Sequence, residues 1–185
     1  VQVIVPGGAP LETVQSVVAG ANHACALRKD GTVACWGDDA FNQLGDDPAT
    51  ADRSRAVPVA GLTGIKAIAA GANHTCAVLS GGGVKCWGRN DARQLGDGTT
   101  AIRRAPVKVK DVAKATGLAA GSLHACAIVA GGAVRCWGSN TQGQLGNGTR
   151  SVTFTAKAVV GLTGASQVAA GALHGALVTG DFAPA

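Results

Sequence analysis

Methionine and tyrosine are absent from this chain, phenylalanine and tryptophan occur three times each, and charged residues make up only 15% of it. So few aromatics leave no surface on which bases could stack, and none interleaves with the cationic stretches, which disfavours nucleic acid. No apolar run reaches the roughly 18 residues that a membrane-spanning helix requires, so no membrane span is expected. Hardly any glycine-free window keeps an apolar period of 3.6 residues, which excludes a long helical architecture. The start at Val1 shows no charged segment followed by an apolar one, as in a chain that is shortened or has lost a secretory leader. Haem-attachment, phosphate-loop, nucleophile-elbow and paired-carboxylate motifs are missing as well, so neither a cofactor nor a metal is expected.

What the chain has instead is repetition. Gly20-Ala-Asn-His-Ala-Cys-Ala-Leu returns as Gly71-Ala-Asn-His-Thr-Cys-Ala-Val and Gly121-Ser-Leu-His-Ala-Cys-Ala-Ile, then altered as Gly171-Ala-Leu-His-Gly-Ala-Leu-Val. His23, His74, His124 and His174 are thereby spaced 51, 50 and 50 residues apart, the size of one propeller blade or one solenoid unit. The repeats run over about 15–65, 66–115, 116–165 and an incomplete 166–185 within a single segment, 1–185. Apolar content of 46%, mostly Ala and Val, and 28 glycines fit short β-strands joined by tight turns.

In the second repeat, strands are expected at 66–70, 74–79, 83–87 and 105–109, four to a blade. Cys76 and Cys86 lie symmetrically about Gly81, leaving Ser80-Gly81-Gly82 as a three-residue hairpin loop with glycine where positive φ is needed. That register sets Cys25 opposite Cys35, Cys76 opposite Cys86 and Cys126 opposite Cys136. Opposed residues lie about 4.5–5.5 Å apart at Cα, within reach of a disulfide. Zinc asks for closer Cys or Cys-His pairs, and reduced core thiols are the other reading. The fourth repeat, in which no third strand follows, has Ala176 at the cysteine position. Disulfides imply an oxidising location: extracellular, cell surface or periplasmic.

Each third strand ends in Cys-Trp-Gly and is followed by Gln-Leu-Gly, most fully as Trp137-Gly138-Ser139-Asn140-Thr141-Gln142-Gly143-Gln144-Leu145-Gly146. On these motifs the chain resembles the regulator of chromosome condensation repeat family, in a version with one disulfide per repeat. Phe41-Asn42 and Ala92-Arg93 depart slightly from the pattern before the glutamine. The resemblance implies an all-β, seven-bladed propeller, of which this chain holds about 3.5 four-stranded blades. Kelch propellers need tandem glycines and spaced Tyr and Trp, which this sequence lacks. Trp36, Trp87 and Trp137 recur once per repeat and so are expected to pack between blades. The four histidines are expected to be structural, since equivalent atoms of a ring do not converge on one metal.

Val1-Gln-Val-Ile-Val5 resembles the end of a preceding blade, and the incomplete fourth repeat leaves another unfinished. A protein partner, or a second copy of the chain, is therefore expected to complete the propeller. Function is expected in loops on a rigid scaffold. The loops at 46–55, 97–104 and 147–154 carry Arg53, Arg55, Arg103, Arg104 and Arg150, which with Lys108, Lys110 and Lys114 account for much of the net charge of +5. They make candidate sites for an acidic protein, an anionic glycan or an envelope surface. A non-enzymatic binding or structural module is the leading expectation. The alternatives are a propeller enzyme with an axial site, and the nucleotide-exchange or chromatin-binding activity that the resemblance implies.

Overall fold

The computed structural model describes residues 3–47, 51–174 and 176–179, and everything structural below concerns these. They form strands and no helix. Blade 1 is the antiparallel sheet of β1 (Val14–Ala19), β2 (His23–Arg28), β3 (Val33–Gly37) and β4 (Arg53–Pro58), hydrogen-bonded in that order. Blade 2 repeats it with β5 (Ile65–Ala70), β6 (His74–Leu79), β7 (Val84–Gly88) and β8 (Arg103–Lys108). Blade 3 does so with β9 (Ala115–Ala120), β10 (His124–Val129), β11 (Val134–Gly138) and β12 (Thr153–Ala158), after which β13 (Gln167–Ala170) pairs with β14 (Ala176–Thr179).

The position of a strand in its blade explains its sequence. β6 and β10 are covered on both faces, and beyond their leading His74-Thr75 and His124 they run apolar rather than alternating. The outer strands β4, β8 and β12 are largely exposed and carry most of the polar strand residues. Pro58 and Pro106 sit in two of them, where an edge strand tolerates a missing N–H.

The hairpin register is the one the cysteines require. Cys76 pairs with Cys86 across β6 and β7, Leu79 donates to the Gly83 carbonyl at 2.9 Å, and Gly82 closes the loop at φ 75°. Gly31 and Gly132 do the same in the other blades at φ 77° and 74°. Disulfides join Cys25 to Cys35, Cys76 to Cys86 and Cys126 to Cys136, with all six sulfurs in the buried core. Each closes a small loop, which stabilises the blade by roughly 2.5–3 kcal/mol in the chain-entropy account.

Blades pack through their inner strands, β1 against β5, β5 against β9 and β9 against β13. A backbone ladder crosses these boundaries in one direction. Ala21 donates to Ala72 O at 3.1 Å, Ala72 to Ser122 O at 3.3 Å and Ser122 to Ala172 O at 3.3 Å. The tryptophans staple the same boundaries: Trp87 Nε1 donates to Gln43 O, and Trp137 Nε1 to Gln94 O, both at 2.9 Å. Leu44 and Leu95 of the Gln-Leu-Gly motif are fully buried in the clusters of Trp87 and Trp137, and Leu145 is fully buried in a cluster with Ile128 and Leu162, each contributing about 2–3 kcal/mol by burial. Trp36, on the free side of blade 1, is only half-buried, and Val17 nearby is 56% exposed where its counterpart Ile68 is buried.

Val1 and Gln2 lie outside the described residues, but Ile4 shows what the first segment does. Its carbonyl accepts from Ala56 N–H at 2.9 Å, as that of Lys110 accepts from Ala156 N–H at 3.3 Å. The segment thus occupies the place of the linker that leaves a preceding blade.

Candidate functional site

The loops between third and fourth strands are built on one side chain each. In blade 2, Asn90 Oδ1 accepts from Leu95 N–H at 3.0 Å, and its amide donates to Asp97 Oδ1 and Thr99 O, both at 3.1 Å. Asp97 in turn accepts from Thr99 N–H at 2.9 Å and from Arg103 Nε at 2.8 Å. Burial pushes the Asp97 carboxyl upward, but its bonds from Thr99, Arg103 and Asn90 win and hold it below the usual carboxylate value. In blade 3 Asn140 repeats the bracket with Leu145, Asn147 Oδ1 and the Thr149 and Ser151 carbonyls.

Blade 1 has an acid in that place. Asp39 Oδ1 accepts from Leu44 N–H at 2.9 Å, as the asparagines do. Its second oxygen has nothing to donate, and Asp39 Oδ2 and Asp46 Oδ1 are buried without a hydrogen-bond partner. Burial, with the Asp46 and Asp38 carboxylates adding to it, pushes Asp39 up to about 6 against the pull of Leu44 N–H and Arg53. Two carboxylates face one another where the other blades place an amide donor.

These brackets divide the candidate arginines. Arg53 pairs with Asp46 and Arg103 with Asp97, each at 2.8 Å, so both hold their loops together. Arg55, Arg104 and Arg150 are exposed and make no ion pair among the described residues. The pairing had a sequence signal, since Asp and Arg occur together in two repeats and give way together to Asn147 and Thr153 in the third.

Aromatic side chains do meet the charges, contrary to the expectation from sequence. Arg93 of blade 2 stacks over Phe154 of blade 3 at 3.6 Å from its centroid, and Arg89 lies over Phe41 of blade 1 at 4.9 Å. Neither pair is close in sequence. Rotation from one blade to the next brings them together, which residue spacing alone does not show. Phe154 remains 45% exposed and Ile102 46%, so the loops and the strands they lead into are partly apolar as well as cationic.

The histidines serve the blade boundaries. His23, His74 and His124 are buried, while His174 of the unfinished fourth repeat is exposed. Thr75 Oγ1 donates to Gln43 O at 3.1 Å, so His23 Nε2, 2.9 Å from the same hydroxyl, is the donor to it. Ala125 holds the place of Thr75 in blade 3, and both ring nitrogens of His74 and of His124 lack a partner among the described residues. Burial lowers His23 to about 4, against the Asp38 carboxylate, and lowers His74 to about 3; it lowers His124 as well. The glycine three residues earlier is required by these rings, because a Cβ on Gly71 would strike the His74 imidazole and the Gly121 carbonyl. Around the axis, the opening of about 240 Å³ is lined by Ala and Gly backbone and Ser122, with no carboxylate, imidazole or thiol. No group of three or more His, Cys, Asp or Glu able to hold a metal occurs among the described residues.

Comparison with known proteins agrees with this architecture. Profiles described as "Regulator of chromosome condensation (RCC1) repeat" match residues 30–78, 82–128 and 131–178, and a second profile of that description matches 14–43, 65–94 and 115–144. The human E3 ubiquitin-protein ligase HERC2 is 41% identical over 92 residues, 47% of this chain but 2% of that protein. Prp20p from Saccharomyces cerevisiae, whose crystal structure is described together with its binding to Gsp1p and histones, superposes with a TM-score of 0.69 at 25% identity, over 82% of this chain and 40% of that one. The ectodomain of the Physcomitrella patens receptor kinase CR4 superposes with a TM-score of 0.52 at 25% identity, over 96% of this chain and 40% of that one. The chain thus spans a minor part of each of these relatives. With three disulfide-closed blades, a Trp staple between neighbours and repeat profiles matching most of its length, this chain belongs to the regulator of chromosome condensation (RCC1) repeat family of β-propellers.

Proposed function

We propose that the chain is a non-enzymatic protein-binding module, secreted or held at a cell surface, that engages its partner through the loops after the third strands and the fourth strands they lead into. The observation that carries this is the division of the arginines. Arg55 of β4, Arg104 of β8 and Arg150 are exposed, as are Phe154 and Ile102, while Arg53 and Arg103 are spent on the scaffold. A cationic face with an apolar component suits an acidic protein surface. Binding of Gsp1p and histones by Prp20p supports a protein-binding use of such blades. The three disulfides support an oxidising compartment, as does the likeness to a receptor ectodomain. An axial lining of Ala, Gly and one serine offers no acid–base pair for an enzyme.

The exposed Trp36 side of blade 1 supports a further blade of the same repeat as a second partner, a second copy of this chain included. Light scattering tests that copy, and a folded monomer at all concentrations rejects it. The loop reading is tested by affinity capture from the native source with the wild type and an Arg55→Ala, Arg104→Ala, Arg150→Ala variant. Loss of a captured protein is expected, and an unchanged set contradicts the proposal.

A further inference from the structure

Repeat 2 departs from its neighbours in one segment. Blade 1 is left through Pro58-Val-Ala60-Gly61-Leu62-Thr63-Gly64 and blade 3 through Ala158-Val-Val160-Gly161-Leu162-Thr163-Gly164, whereas blade 2 is left through Lys108-Val-Lys110-Asp111-Val112-Ala113-Lys114. The shared glycines are in left-handed backbone, Gly61 at φ 64° and Gly64 at φ 65°, and Asp111 and Lys114 keep that conformation at φ 63° and 54°. A side chain there is strained where glycine is not. Asp111 stands where both neighbouring exits have glycine, and Lys114 where Gly64, Gly164 and, ahead of β1, Thr13 at φ 56° stand, so the turn itself does not call for charge.

The same linker lines an open groove of about 1040 Å³ between blades 2 and 3. Lys108 and Lys110 of the linker, Arg135 of β11 and Lys157 of β12 bring its positive charge, and Asp111 is its one acid. None of the four cations makes an ion pair among the described residues. In the preceding repeat their places are held by Pro58, Ala60, Lys85 and Val107, so one cation stands where this groove has four. The charge is therefore no part of what builds a blade.

We propose that this groove binds an acidic polypeptide segment in which aliphatic side chains alternate with carboxylates. The four unpaired cations meet the carboxylates, and a floor that includes Val112, Val129 and Ala156 takes the aliphatic side chains. The lining has no aromatic ring on which a sugar or base could stack, and no hydroxyl or amide side chain to read a glycan. Asp111 opposes a polymer of uniform negative charge. The proposal rests on the protein-binding reading above but concerns a different surface.

The test is fluorescence anisotropy with a labelled alternating Glu-Val peptide at low ionic strength, with a heparin oligosaccharide as the second probe. Saturable, salt-sensitive peptide binding is expected. Lys110→Glu with Lys157→Glu, both at exposed positions, is expected to weaken it at least about tenfold, with the melting temperature checking that the fold is intact. The Arg55, Arg104 and Arg150 alanine variant is expected to bind the peptide as the wild type does, even where it loses its captured partner, so the two readings fail separately. Absent peptide binding, heparin binding alone, or equal binding by the charge-reversed variant would each overturn the proposal.

Discussion

Blade 1 and blade 2 are one design carried out with different polar atoms. At the loop bracket, Asn90 satisfies both sides of its amide, while Asp39 leaves two buried carboxylate oxygens facing each other unpaired. At the boundary, His23 has the Thr75 hydroxyl, whereas His74, with Ala125 in the place of Thr75, has no partner among the described residues. At the exit, blade 1 relaxes through two glycines and blade 2 holds Asp111 and Lys114 in the same backbone. The disulfide and the buried Leu are present in both blades, whichever polar atoms surround them. Exchanging residues between the blades should therefore move stability in opposite, foreseeable directions.

The largest effect is expected from acid, which acts on both blades at once. The buried imidazoles titrate at about 4 and about 3 in the folded chain against 6.5 as the ordinary value, so between those limits the unfolded chain binds more protons. Stability is fully present above pH 6.5 and falls as the pH drops toward 4, on the order of 3 kcal/mol from His23 alone. Asp39 works the other way, taking up its proton in the folded state near 6 and so adding stability as pH falls from there to its ordinary 3.8. Urea melts at neutral pH and near pH 4.5 should show a net loss, since three lowered imidazoles outweigh one raised carboxyl.

Asn90→Asp imports the weakness of blade 1 into blade 2 by setting a carboxylate against Asp97. A loss of about 3 kcal/mol at neutral pH is expected in denaturant melts, and an unchanged midpoint would show that the bracket does not matter. The reverse exchange, Asp39→Asn, supplies an amide donor to Asp46 and should gain about 1–2 kcal/mol, while removing a proton uptake near pH 6 that potentiometric titration can follow. Ala125→Thr offers His74 the hydroxyl that His23 already has. Its gain, about 1 kcal/mol or less, is the smallest and is read from the melting temperature.

Much of this was legible from residue spacing. Cysteines ten positions apart with glycine in the third loop position set the β6–β7 register, and Trp and Gln-Leu-Gly recurring together pointed to blade packing. What spacing hides is contact between repeats. Arg93 and Phe154 meet only because one blade is rotated against the next, and charge counting alone ranks Arg53 and Arg103 with the free arginines although the fold consumes them. The exit linker was open to view as a break in the repeat. Its meaning required the backbone angles, which show that Asp111 and Lys114 replace glycines without changing the turn.

On the proposal above, residues that repeat build the ring, and the charged linker that breaks the repeat makes a surface for binding. Replacing residues 108–114 with the sequence of 58–64 tests this most directly, by measuring melting temperature and Glu-Val peptide affinity on the same protein. A variant that melts higher, by about 1 kcal/mol of strain relieved, and binds the peptide at least about tenfold more weakly is the predicted result. A variant that loses stability, or one that binds as the wild type does, would contradict it.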